Sequence, residues 1–103
     1  MVYVHLFVKY KRKLDIRQNK DTGHPAVIYE IRGKQYKFLS LTHAGETNGI
    51  RNVKFTHNPN LKDSSPTYFR PIPQMSHKSN FGKRYSTWTI SPSDIRKMKP
   101  YMR

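Results

Sequence analysis

Ala26-Val27-Ile28-Tyr29-Glu30-Ile31, then Arg32-Gly33-Lys34, then Gln35-Tyr36-Lys37-Phe38-Leu39-Ser40-Leu41-Thr42: two apolar runs bracket a glycine in a short polar turn. β-Branched and aromatic residues dominate both runs. Two such runs around a glycine predict an antiparallel β-hairpin. Upstream, Val2 to Tyr10 alternates, with Val2, Val4, Leu6 and Val8 on one face, and predicts another strand. Lys11 to Gly23 is polar and charged and reads as a mobile basic loop. Downstream, Glu46-Thr47-Asn48-Gly49 marks a turn and Ile50 to Thr56 a further strand. His57 to Gly82 carries Pro59, Pro66, Pro71 and Pro73 and reads as irregular, with Thr67 to Arg70 as a short edge strand. Arg84 to Ile90 predicts the last strand.

A helix start follows. Ser91 suits the N-cap, Pro92 the first helical position, and Asp94 stands three residues after the cap. Ile95 and Met98 share one face, and Pro100 ends the helix. The expectation is one mainly β domain spanning residues 1–103. About five antiparallel strands form a small SH3-like or OB-like barrel with a short C-terminal helix. Only 35% of the residues are apolar, so the core is thin, and 13% aromatics partly offset this.

Charge points to a class of partner. Twenty Lys and Arg stand against six Asp and Glu, a formal net charge of +14. So dense a charge repels itself until an anion neutralises it, and nucleic acid is the commonest polyanion. No stretch approaches the length of a membrane span, and no signal peptide is evident, so the expected location is cytoplasmic and no membrane partner is expected. Cysteine is absent, which removes disulfides, thiolate metal sites and cysteine nucleophiles. The scattered acids and evenly spread histidines do not read as a metal-ligand set, and no glycine-rich phosphate loop occurs. No metal and no cofactor are therefore expected.

RNA is cleaved without metal when a base takes the 2′-hydroxyl proton and cations stabilise the charged intermediate. His suits either proton-transfer role. His24 precedes the first hairpin strand, and Thr42 and His43 end the second. An antiparallel hairpin brings those points together. Candidate catalytic residues are therefore His24, Thr42 and His43. Candidate nucleic-acid contacts are Arg17, Arg32, Arg51, Lys54 and Arg70, with Tyr68 and Phe69 as stacking residues. Trp88 reads as core.

Three stretches resemble a known family in order. Thr22-Gly23-His24-Pro25-Ala26-Val27-Ile28 is similar to the Gly-x-Arg-Pro-Ala-Val-Val stretch of the MazF/PemK toxins. Leu39-Ser40-Leu41-Thr42 resembles that family's second block, which ends in a functional Ser or Thr. Trp88 to Ile95 resembles its closing strand and capped terminal helix. The resemblance covers about half the chain. It implies an SH3-like barrel, metal-independent endoribonuclease activity, a homodimer and an acidic antitoxin-like protein partner. It carries Thr42 over as a functional hydroxyl and places His24 where the family has Arg. Two alternatives remain open at this point: a non-catalytic basic barrel that binds nucleic acid, and an adaptor that binds an acidic protein.

Overall fold

The computed structural model describes residues 14–103. The alternating segment Val2 to Tyr10 lies outside the described residues. The hairpin is where the sequence puts it. Strand β2 runs Pro25–Arg32 and β3 runs Gln35–Thr42, paired antiparallel with Val27 opposite Leu39 and Ile28 opposite Phe38. Gly33 holds φ +58 in the turn, a conformation open to glycine and strained for L side chains. The register slips between Ile28 and Glu30, leaving Tyr29 as a bulge residue.

Lys11 to Gly23 does not stay a loop. Its described part contains strand β1, Asp15–Asn19, paired with β2 on one side. On the other side lies β9, Phe81–Arg84. Only Leu14 and Ile16 supply apolar burial there, too few to show a period in a charged stretch. Ile16, Val27 and Leu39 stand side by side across three strands and found the main core.

The expected strand over Ile50 to Thr56 is broken in two. Glu46–Thr47 (β4) and Ile50–Arg51 (β5) form a small separate hairpin, and Val53–Lys54 (β6) joins the main sheet. Asn52 makes the break. It is buried, and its amide donates to the Ala44 carbonyl at 3.0 Å and to the Thr47 hydroxyl at 2.8 Å. The segment read as irregular contains Tyr68–Phe69 (β7) and Gln74–His77 (β8). β7 is not an edge strand: it lies between β6 and β3. β8 pairs the first half of β3.

Of the expected strand Arg84 to Ile90, only Arg84 is paired, as the last residue of β9, and Tyr85 to Ile90 is not a strand. Pairing ends near Tyr85, whose N–H donates to the Ile16 carbonyl at 2.8 Å. The chain then turns, and Trp88 stacks on Tyr85 with ring centroids 4.3 Å apart. Local β propensity loses here to aromatic packing over the core.

The result is mainly β: the described residues form a seven-stranded antiparallel sheet in the order β6-β7-β3-β2-β1-β9, with β8 alongside β3. Among the described residues, the outermost strands β6 and β9 are not paired with each other. Helix α1, Pro92–Met98, packs against one face through Ile95 and Met98. A smaller apolar cluster of Ala26, Ile28, Phe38 and Phe81 covers the other face. Among the described residues, no helix is long and apolar enough to cross a membrane.

The helix cap does more than start a helix. Asp94 is fully buried. Its carboxylate accepts from the Thr56 N–H at 2.9 Å, the His57 N–H at 3.0 Å and the Ser91 hydroxyl at 2.9 Å, with the Lys97 ammonium at 3.6 Å. Burial pushes this carboxyl up, but the two backbone donors, the hydroxyl and the lysine together outweigh it and hold it below the usual range.

Asp94→Ala leaves the part-buried Thr56 and His57 N–H groups unpaired and removes a fully buried acceptor, and urea denaturation should show a loss of about 3 kcal/mol. Below the ordinary aspartate value of 3.8, the unfolded chain binds the proton more readily than the folded one. Asp94 therefore adds stability above that pH and loses it as acid is added, so Asp94→Asn should flatten this limb of the stability–pH curve. Separately, Gly33→Ala should cost about 1 kcal/mol through strain at its positive φ, read from the same denaturation midpoint.

Candidate nucleic-acid interface

The antiparallel register brings His24 and Thr42 together. Ala26 pairs with Ser40, and two more residues along the same register place His24 opposite Thr42. The turn before His24 is tight: the Asn19 N–H donates to the His24 carbonyl at 2.8 Å and the Gly23 N–H to the Asn19 carbonyl at 2.7 Å. Across β3, Thr42 pairs with Tyr68, and Tyr68 with Lys54. Directly paired residues share a face. Thr42, Tyr68 and Lys54 therefore form one row on the face opposite Leu41, Phe69 and Val53.

Two clefts open at this end of the sheet, and His24 and Thr42 line both. The first has a volume of about 290 Å³ and is walled by Thr22, Ser40, Thr47, Arg70 and Gln74. No carboxylate lines it. Arg70 is half-buried and anchored by its backbone, whose N–H donates to the Ser40 carbonyl at 2.8 Å. Its Nε is buried and has no hydrogen-bond partner among the described residues. The Ser40 hydroxyl donates to Gln74 Oε1 at 2.9 Å, and the Thr42 hydroxyl oxygen accepts from the Ala44 N–H at 3.1 Å. A guanidinium with an unused buried donor, flanked by hydroxyls and an exposed imidazole, is an arrangement suited to a phosphate.

The second cleft, about 210 Å³, lies on the other side of His24 and Thr42. The loop over residues 57–66 forms its far wall. His43 ties that loop down: Nδ1 stands 2.9 Å from the Pro66 carbonyl and Nε2 3.0 Å from the Asp63 carboxylate. Both ring nitrogens of His43 are thus engaged. Asn58 organises the loop from within, donating to the carbonyls of Asp63 and Ser65 at 2.8 and 2.7 Å.

The remaining candidates lie elsewhere. Phe69 is fully buried against Phe55 and Tyr101, so it has no face on which a base could stack. Tyr68, one residue earlier, is half-buried on the outer face. Arg17 donates to Asp15 at 2.8 Å, and that hydrogen bond holds its guanidinium charged more firmly than usual. Arg32 sits at the far end of the hairpin, roughly 23 Å of strand away, and is paired with Glu30. Arg51 stands opposite Glu46 in the small hairpin. Lys54 lies at the end of the Thr42–Tyr68 row. Arg70 is therefore the arginine that meets His24 and Thr42 in one cleft. Asn60 and Asp63 of the second cleft carried no signal in the sequence because their placement depends on the 57–66 loop folding back, whereas Trp88, weighed in the sequence as core against base platform, packs against the core and also lines this cleft. Among the described residues, no group of three or more His, Asp or Glu is placed to hold a metal ion.

No protein-family profile matches the chain, and neither a curated protein nor a solved structure does.

The His43 contacts predict a local effect. His43 is exposed and Asp63 half-buried, so His43→Ala should cost under about 1 kcal/mol globally. Amide exchange across residues 58–66 should nevertheless speed up, because the loop loses both attachments to His43.

Proposed function

We propose that this protein binds single-stranded RNA and cleaves it without metal, seating a backbone phosphate in the cleft between His24, Thr42 and Arg70. The observation that carries the reading is the Arg70 guanidinium, with a buried Nε that has no partner among the described residues, set between hydroxyls and His24 where no carboxylate competes. The net charge of +14 supplies long-range attraction to a polyanion. The ordered resemblance to MazF/PemK toxins supports the same chemistry, with Arg70 supplying a guanidinium where that family's Arg is replaced by His24.

In this reading His24 takes the proton from a 2′-hydroxyl. The freed oxygen attacks the adjacent phosphorus, a P–O2′ bond forms, and the P–O5′ bond breaks. The leaving 5′-oxygen takes its proton from water. Products are a 2′,3′-cyclic phosphate and a 5′-hydroxyl. Arg70 and the Thr42 hydroxyl hold the non-bridging oxygens as charge builds on them. Cleavage by such a protein in the cytoplasm calls for restraint, and an acidic antitoxin-like partner fits the basic surface. A homodimer belongs to the same proposal.

A second reading is favoured by one observation. His43 has both ring nitrogens engaged, leaving His24 as the proton carrier of the cleft. A single carrier suits binding without cleavage.

One experiment separates the two: a labelled single-stranded RNA incubated with the protein in excess EDTA. The first reading expects cyclic-phosphate products, reduced about 10²–10⁴-fold by His24→Ala. Affinity should fall about 10- to 100-fold for Arg70→Ala. Intact RNA with retained, Arg70-dependent binding leaves the second reading. Unchanged affinity in Arg70→Ala discards both.

A further inference from the structure

We infer that the second cleft is a nucleobase pocket, which receives a base of the RNA strand whose phosphate lies in the neighbouring cleft. This inference rests on the phosphate-binding reading of that neighbour.

Three observations carry it. The two clefts share His24 and Thr42 as a common wall, so a ligand anchored in one extends naturally into the other. A nucleotide has that shape, with a charged phosphate one sugar away from a flat, largely apolar ring. The chemistry of the second cleft also differs in kind from the first. Pro25, Leu41, Pro59 and Trp88 give it apolar walls, and its volume of about 210 Å³ suits a single heterocyclic ring system. Trp88 is held rigid by its stack on Tyr85, with the planes only 13° apart. A platform ordered before binding loses little entropy when a base arrives.

The polar groups at the rim complete the case. Asn60 uses its side-chain oxygen to accept from the Lys62 N–H at 3.2 Å. Its amide nitrogen has no partner among the described residues and is a free donor for a ring nitrogen or carbonyl. Asp63 is held by Ser65 and His43 at the same rim and offers a carboxylate to a base amino or imino group. An apolar slot with one free donor and one fixed acceptor recognises an edge carrying both. Loop 57–66 supplies the donor and the acceptor, so this loop decides which base is preferred.

The test measures binding rather than cleavage. Four short 2′-O-methyl oligonucleotides, each of one base, and an abasic sugar–phosphate oligomer of equal length are titrated by fluorescence anisotropy at fixed salt. At least one base should bind about tenfold tighter than the abasic oligomer. Asn60→Ala and Trp88→Leu should each shrink that advantage to under about threefold while leaving abasic affinity unchanged. Should Trp88→Leu lose its folded circular-dichroism spectrum, Asn60→Ala and the wild-type comparison still decide. Equal affinity for all five ligands overturns the pocket and leaves the phosphate cleft standing. Absence of binding to every ligand, or affinities that Arg70→Ala does not lower, overturns the phosphate reading itself.

Discussion

The Asp94 carboxylate is the contact on which the arrangement of this small protein depends. It is the fully buried acid of a strongly basic chain, and it accepts hydrogen bonds from two elements distant in sequence. One is its own helix start at Ser91. The other is the backbone at Thr56 and His57, where the chain leaves the sheet. A buried charge is tolerated only when several donors compensate it. Helix α1 is therefore locked to the root of the loop over residues 57–66. That loop is fixed again at Pro59, whose carbonyl accepts from the Thr89 N–H at 3.1 Å, and at Asp63 by His43. The wall of one cleft is thus fixed at its root by a helix cap.

Charge is managed by the same economy of acids. Asp15 lies against Arg17 and Arg84, Glu30 pairs with Arg32, Asp63 with His43, and Asp94 with Lys97. Four of the six carboxylates are thus used within the fold. Arg32, Lys34, Lys37 and Lys78 gather at the Gly33 turn, with Lys78 bonded through its backbone to Lys34 and its ammonium over the Tyr36 ring. Arg70 stands at the opposite end. Diffuse charge of this kind raises the encounter rate with any polyanion but does not choose a binding site. In the proposed function, choice belongs to a cleft where a guanidinium, a hydroxyl and an imidazole converge with no acid among its described lining residues.

What could be read from the sequence about that cleft was the hairpin. Gly33 defines the turn, and the apolar runs on either side define the two strands. Antiparallel geometry then brings His24 to the Thr42–His43 end of the sheet, and the bulge at Tyr29, which no local pattern announces, sets Thr42 rather than His43 opposite it. Arg70 was legible as one of several candidate nucleic-acid contacts, with nothing to set it above Arg17, Arg32 or Arg51. Its position follows from β7 inserting between β6 and β3, a pairing between segments far apart that no local pattern announces.

Local signals were sound where they were self-contained: the β2–β3 turn, and the Ser91–Pro92–Asp94 cap. Where an element depends on distant partners, the sequence was silent or misleading. Strand β1 looked like a polar loop because its burial comes from neighbours on both sides. Tyr85 to Ile90 looked like a strand because its propensity is high, yet ring stacking turns it away from the sheet. Phe69 and Tyr68 are adjacent and chemically alike, and only the pleat sends one into the core and the other to the surface. Short-range chemistry determined turns, caps and the central hairpin. Long-range pairing decided which side chains meet, since contacts between distant segments are set by packing the whole chain at once.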